Sequence, residues 1–220
     1  MYIFKRLAFV VLFATYSVVV WAEGVGNSVD KFFVAMPDNE IEYLNMSLKS
    51  DMVDLYVRNS SKRVRNLLGG ESWISYIDSS QIDVVLADGK CYLTIRAFEK
   101  KRGETIFAVV KTLYTPIADS SVKFYDNNCE MINSNKLFEL PEFKNFFTKT
   151  DNKLLQGVMD RISMMFLKVD VSEGGDLFVS LDDMWLDVLD GGVSALLLDK
   201  KIKSPLRYTW SGKRFKMVEP

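Results

Sequence analysis

Apolar residues change their spacing along the chain, and each change predicts an element. After Asn27 or Ser28, either able to cap a helix, Val29–Ala35 carries Phe32, Phe33 and then Met36 on one face, and Pro37 stops it. Glu40–Leu44 is a second short apolar–polar segment. Ser50 then precedes Asp51, Met52, Val53, Asp54, Leu55, Tyr56 and Val57. The acids lie where a helix dipole favours them, the apolar residues recur at helical spacing, and Asn59-Ser60-Ser61 breaks the run.

From there the period becomes two. Lys62–Leu68 and Ser72–Ile77 flank the turn pair Gly69-Gly70. In Gln81–Ala87, Ile82, Val84 and Leu86 share one side. After Asp88-Gly89, Cys91, Leu93, Ile95 and Ala97 face one way, and Tyr92, Thr94, Arg96 and Phe98 the other. Thr105–Leu113 and Ser121–Tyr125 follow, closed by Asp126-Asn127-Asn128. Short strands joined by hairpin turns predict an antiparallel meander.

The second half repeats the order less clearly. Pro141–Phe147 and Lys153–Ser163 read as helices, and Met165–Val171 and Leu177–Leu181 as strands around Glu173-Gly174-Gly175-Asp176. Trp185–Leu189 and Val193–Leu198 read as helical, and Leu206–Trp210 turns through Ser211-Gly212 into Lys213–Val218. The predicted class is α+β, mainly antiparallel β-sheet meanders with short N-terminal and intervening helices. Residues 23–140 hold a helix plus a meander and 141–220 a helix plus a smaller one, packed as one domain or standing apart. No residue-level repeat relates them.

The first 22 residues belong to neither half. Lys5-Arg6 leads an uncharged apolar run from Leu7 to Trp21, with small residues at Val20 and Ala22 ahead of Glu23. That is the plan of a cleavable signal peptide, 1–22, cut between Ala22 and Glu23. The run falls short of the ~20 apolar residues a spanning helix needs, and no basic stop follows it. The expectation is an exported protein, in the periplasm or on the cell surface, without a transmembrane segment after signal removal. An uncleaved N-terminal anchor is the alternative.

Cleavage removes Lys5 and Arg6 and no acid, taking the formal charge from −1 to −3. The basic blocks stay short, Lys100-Lys101-Arg102 and Lys213-Arg214, so nucleic acid is not an expected partner. The chain has no histidine, which removes Ser-His-Asp and Cys-His catalysis and His-ligated metals. Two cysteines cannot hold a Cys-rich zinc site or an iron–sulfur cluster, and no phosphate-cradling glycine motif occurs. Gly69-Gly70, Gly174-Gly175 and Gly191-Gly192 read as turn pairs. Cys91 and Cys129 either join in a disulfide, which export permits, or stay as packed thiols.

Carboxylates remain as candidates. Asp182, Asp183, Asp187 and Asp190 are the densest group, with Asp176 one strand earlier. Glycoside hydrolysis needs two carboxylates flanking one bond, and calcium takes oxygen ligands. Yet Asp183, Asp187 and Asp190 fall on one side of a helix, and Met184, Trp185, Leu186, Val188 and Leu189 cover the rest. That describes a solvated acidic face over a core face.

Three other groups have two readings each. Ser120 and Ser121 beside Lys123 lack the spacing of serine–lysine catalysis and read as sheet contacts. Arg96 shares a strand face with Tyr92 and Thr94, an anion or sugar site or else the solvated face of a half-buried sheet. Phe138, Phe143, Phe146 and Phe147 surround Pro141 as an exposed platform for a glycan or partner, or as a stripe packed on a sheet.

Several segments fall in a familiar order. They are Phe33-Val34-Ala35-Met36-Pro37-Asp38, Asp51-Met52-Val53-Asp54, Leu68-Gly69-Gly70, Thr112, Pro116, Asp119-Ser120-Ser121, Val122-Lys123-Phe124-Tyr125, and Tyr208-Thr209-Trp210-Ser211-Gly212-Lys213-Arg214-Phe215. Together they resemble the exported Bacteroidales proteins of domain-of-unknown-function family 3256, over nearly all the mature chain. The resemblance implies a periplasmic or surface protein and supplies no catalytic residues. Where that pattern has an aromatic residue after the Phe124-Tyr125 strand, this chain has Cys129, so no family role is carried onto the cysteine.

No catalytic, cofactor-binding or metal residue is therefore assigned, and no cofactor is expected. The expected role is a non-enzymatic binding or interaction module for a protein, peptide or glycan. The alternative is a carboxylate-dependent glycan hydrolase of the cell envelope, using acids of the Asp182–Asp190 region with Asp170 or Asp176.

Overall fold

The computed structural model describes residues 28–58, 63–148, 152–161, 164–183, 186, 189 and 191–218. Helix α1 is Val29–Ala35, as its face and Pro37 predict, with Val29, Phe32 and Phe33 buried. Glu40–Leu44 forms turns rather than a regular element, although Ile41 and Leu44 are buried. Helix α2 is Met46–Val57, and its cap is Asn45, whose side chain accepts the Leu48 amide at 2.9 Å. It begins a turn earlier than the Asp51–Val57 run that the spacing marks, and the extra turn contains Lys49, which is fully buried. A lysine inside the buried stripe breaks the apolar period. Its ammonium donates to the Met36 carbonyl and lies 3.0 Å from Asp38, so the charge is paired where it is enclosed.

Seven strands follow as one antiparallel sheet in sequence order. They are β1 (Val64–Arg65), β2 (Glu71–Ile77), β3 (Gln81–Leu86), β4 (Cys91–Glu99), β5 (Thr105–Tyr114), β6 (Ala118–Tyr125) and β7 (Met131–Ile132). The central hairpin pairs β4 with β5 from Cys91 and Leu113 at one end to Glu99 and Thr105 at the other. Ile82, Val84, Leu86, Leu93, Ile95 and Phe107 face α1 and α2, and Phe32 stacks on Phe107 with ring centres 3.9 Å apart.

The other face of this sheet carries a second one. Strands β8 (Leu167–Val171), β9 (Leu177–Leu181), β10 (Leu206–Trp210) and β11 (Phe215–Val218) form an antiparallel sheet in the order β11-β10-β9-β8. One apolar core holds Phe98, Ile106, Val110 and Phe124 of the large sheet together with Val169, Val179 and Tyr208 of the small one. Covering both faces explains why β5 is buried almost continuously and shows little alternation.

Around this core lie helices α3 (Asn152–Met159) and α4 (Gly191–Lys200), which contribute Leu155, Val158 and Leu197. Gly191-Gly192 open α4 instead of forming a turn. The segment predicted as a helix at Pro141–Phe147 is a single 3-10 turn, Phe143–Phe146, in which the Asn145 side chain accepts the Glu142 amide. No described helix is long and apolar enough to cross a membrane.

Candidate functional site

The small sheet covers only part of the large one. Its edge strand β8 runs over β5 and β6, and the face beyond it, on β2, β3 and β4, is polar. The step between the two sheets is a cleft of about 260 Å³. Its wall is Val169, Asp170 and Val171, and its floor carries Ser75, Gln81, Asp83 and Thr94.

The wall is fixed by side chains rather than by a ladder. Ser120 on β6 accepts the Val169 amide at 2.9 Å, its hydroxyl also meets Thr112 at 2.8 Å, and Asp119 receives the Leu167 amide at 3.3 Å. Two donors along the edge of β8 are thereby satisfied and the strand is kept from pairing elsewhere. This is what Ser120 does. Lys123 points to Glu40 at 2.7 Å, so no serine–lysine pair forms. The Lys123 hydrogen bond leads in holding the Glu40 carboxyl below its usual range against the effect of burial. Burial, and then Glu40, push the Tyr125 hydroxyl up.

The floor is a connected polar row. Asp83 accepts from Thr94 at 2.6 Å and from Gln81 at 2.9 Å, and Gln81 in turn accepts from Arg96 at 2.8 Å. The other arm of Arg96 donates to the Glu173 carbonyl at 2.6 Å, in the turn between β8 and β9. The Arg96 guanidinium is thus a strut between the sheets, with both arms engaged. Ser75, at a register shift between Ile74 and Tyr76, bonds to the Asp83 carbonyl at 3.2 Å. Such bulges re-aim side chains at the rims of sites.

Two tyrosines stand at the mouth. Tyr92 and Tyr114 are 42% and 38% exposed, and their rings meet edge to face with centres 5.3 Å apart. Lys168 lies against Asp170 at 2.9 Å, and that hydrogen bond, with Tyr114 nearby, raises its pKa against the effect of burial. The mouth therefore offers aromatic surface beside a paired cation and anion, over a hydroxyl- and carboxylate-bearing floor. It can hold a polar ligand by hydrogen bonds and stacking.

The row of Tyr92, Thr94 and Arg96 is legible in the sequence. Ser75, Asp83, Thr112, Tyr114 and Asp170 are not grouped with it there. Extending the alternation of β5 through Thr112 to Tyr114 would have placed two of them on the same face.

The remaining candidates are engaged elsewhere. Asp176 grips Arg207 with contacts of 2.6 and 2.8 Å, and Asp183 pairs with Lys201. Asp187, Asp190, Ala22 and Glu23 lie outside the described residues. Phe138, Phe143, Phe146 and Phe147 are all buried, with Phe138 edge-on to Tyr208 and Phe143 against Phe147, so they form core and no platform. Cys91 and Cys129 are free thiols, the first buried in the helix-side core and the second half-buried against it. Burial raises both thiol pKa values. Among the described residues no three His, Cys, Asp or Glu side chains are grouped to hold a metal ion.

A family model described as Protein of unknown function (DUF3256) matches residues 22–215. The chain belongs to this family. A solved structure of a domain of an uncharacterised protein from Porphyromonas gingivalis W83 shares the fold, with a TM-score of 0.72 at 20% identity over 86% of this chain and 98% of that one. No curated protein matches the sequence. For this DUF3256 member the kinship speaks to architecture, and the site has to be argued from its own side chains.

Proposed function

We propose that this DUF3256 protein is an exported binding module, working in the periplasm or at the cell surface, which takes a polar ligand in the cleft between its sheets. The exposed Tyr92–Tyr114 pair carries the reading, because large aromatic surfaces left open above hydrogen-bonding groups suit a sugar ring better than a solvated sheet face. A glycan fits this chemistry, with ring faces on the tyrosines and hydroxyls over Thr94 and Asp83. Export rests on the Lys5-Arg6 leader, its apolar run and the small residues before Glu23.

The role needs no reaction step. Asp170, Asp176 and Asp183 each hold a cation, so hydrolysis by carboxylates gains no supporting geometry from them. The test is a neutral-glycan array followed by titration calorimetry of the hit against Tyr92→Ala and Tyr114→Ala. Each substitution is expected to weaken binding at least tenfold while the fold melts cooperatively. Unchanged affinity in both variants would overturn the cleft as the site. Mass spectrometry of the envelope fraction checks export, with Glu23 expected as the new N-terminus.

A further inference from the structure

The far end of the central hairpin presents different chemistry. The turn after β4 carries Lys100, Lys101 and Arg102, and the turn between β10 and β11 leads into Lys213, Arg214 and Lys216. More than a hundred residues separate these segments, and neither is long enough to suggest a polyanion site. The fold brings them together, with Lys136, around one open cleft of about 990 Å³. Among the described residues the lining holds seven cations and one acid, Glu104, which Lys100 occupies at 3.1 Å. The other six cations have no ion pair among the described residues.

This concentration sits on a built support. The Lys101 amide donates to the Gly212 carbonyl at 3.1 Å, and the Trp210 indole donates to the Glu99 carbonyl at 2.8 Å, so each turn holds the other. The Phe215 amide donates to the Leu137 carbonyl at 2.8 Å, which fixes the segment bearing Lys136. Below lie Phe98, Trp210 and Phe215 in mutual ring contact at 5.0 to 5.5 Å. The unpaired charges are therefore held near one another at a cost in repulsion, which an anionic ligand relieves.

We infer that this cleft binds an anionic glycan, a sugar chain bearing several sulfate, phosphate or carboxylate groups. Three observations choose that occupant. The volume is at the upper end of small-ligand pockets, roughly 300 to 1,000 Å³, and suits several linked units rather than one inorganic anion. Among the described residues no aromatic side chain lines the cleft, so the bases of a single-stranded nucleic acid find no stacking surface there. The cations line a concavity rather than a flat or convex face with apolar wedges, which suits a chain entering from solution better than a bilayer surface. The site is distinct from the tyrosine cleft. Tyr92 and Lys101 are nine residues apart along one hairpin arm, about 30 Å at the rise of an extended strand.

The test uses a heparin octasaccharide as the sulfated probe, with uncharged dextran, a single-stranded oligonucleotide of equal charge and phosphatidylserine-containing vesicles as the other arms. Calorimetry at ~50 mM salt is expected to show heparin bound, dextran ignored, and oligonucleotide and vesicles bound at least tenfold more weakly. Affinity should fall steeply with salt, as counterion release requires. Lys136→Glu, Lys213→Glu and Lys216→Glu together should weaken heparin at least tenfold and flatten the salt dependence. The milder triple Gln variant should give a smaller loss in the same direction, and far-UV circular dichroism should stay unchanged for both. Equal heparin affinity in wild type and variants would overturn the inference, as would tighter binding of the oligonucleotide or the vesicles. The charged probe and these lysines play no part in the tyrosine cleft, so either site can fail without the other.

Discussion

Ser120 and Val169 join the two sheets. The serine hydroxyl accepts the valine amide at 2.9 Å across a boundary that no strand ladder spans among the described residues, and Thr112 holds that hydroxyl from behind at 2.8 Å. Ser120→Ala leaves a buried amide and a buried threonine hydroxyl without this partner, and is expected to cost about 1–3 kcal/mol. Thr112→Val leaves Ser120 free to accept from Val169 and should cost less, about 1 kcal/mol. The double variant should cost less than the sum of the two, because they share one network. Urea titrations give these differences directly. A Ser120→Ala cost no larger than that of Thr112→Val would show that the contact does not hold β8 in place.

Asp78 makes part of the stability pH-dependent. It sits in the turn between β2 and β3 and accepts from the Tyr76 hydroxyl at 2.6 Å and from the amides of Ser80 and Gln81 at 2.6 and 2.7 Å. Burial works against its charge, but these hydrogen bonds win and hold the carboxyl down to about 2. An unfolded aspartate titrates near ~3.9. The folded value is depressed, so the folded chain binds fewer protons in this window. The contribution is complete above about pH 4 and is lost as pH falls toward 2. Between pH 5 and 2 the wild type should lose stability more steeply than Asp78→Asn, by urea midpoints at each pH. Parallel curves would mean that the turn gains nothing from the charge.

Legibility in the sequence follows the range of the interaction that fixes each feature. Helix α1 and the strands from β3 to β5 are set by neighbours a few residues away. Pro37 ends the helix, Asp88-Gly89 turns the chain, and alternation aims Leu93 and Ile95 inward. The start of α2 was hidden because Lys49 is buried on account of Met36 and Asp38, which lie outside the helix. At the tyrosine cleft Arg96, which donates to the floor residue Gln81, was readable as part of a row. Its role as a strut depends on Glu173, 77 residues away. The basic cleft was least legible, since its three segments become a surface only through the packing of two hairpin tips around Trp210.

The junction of those tips can be probed with two glycines that differ in one respect. Gly69 and Gly212 have φ values of +88° and +78°, so alanine at either place bears the left-handed penalty of about 1–2 kcal/mol. A methyl group on Gly69 would meet nothing within 4 Å, whereas on Gly212 it would lie 2.9 Å from Lys101 Cγ. The lysine stem would have to move, and the bond from the Lys101 amide to the Gly212 carbonyl lies in the same contact. Gly212→Ala should therefore be more destabilising than Gly69→Ala by about 1 kcal/mol, the lower range of overpacking costs. Thermal melts of the two variants measure the difference. Equal losses would mean that Lys101 swings away freely, and that the cations of the basic cleft are not held together by the turns that carry them.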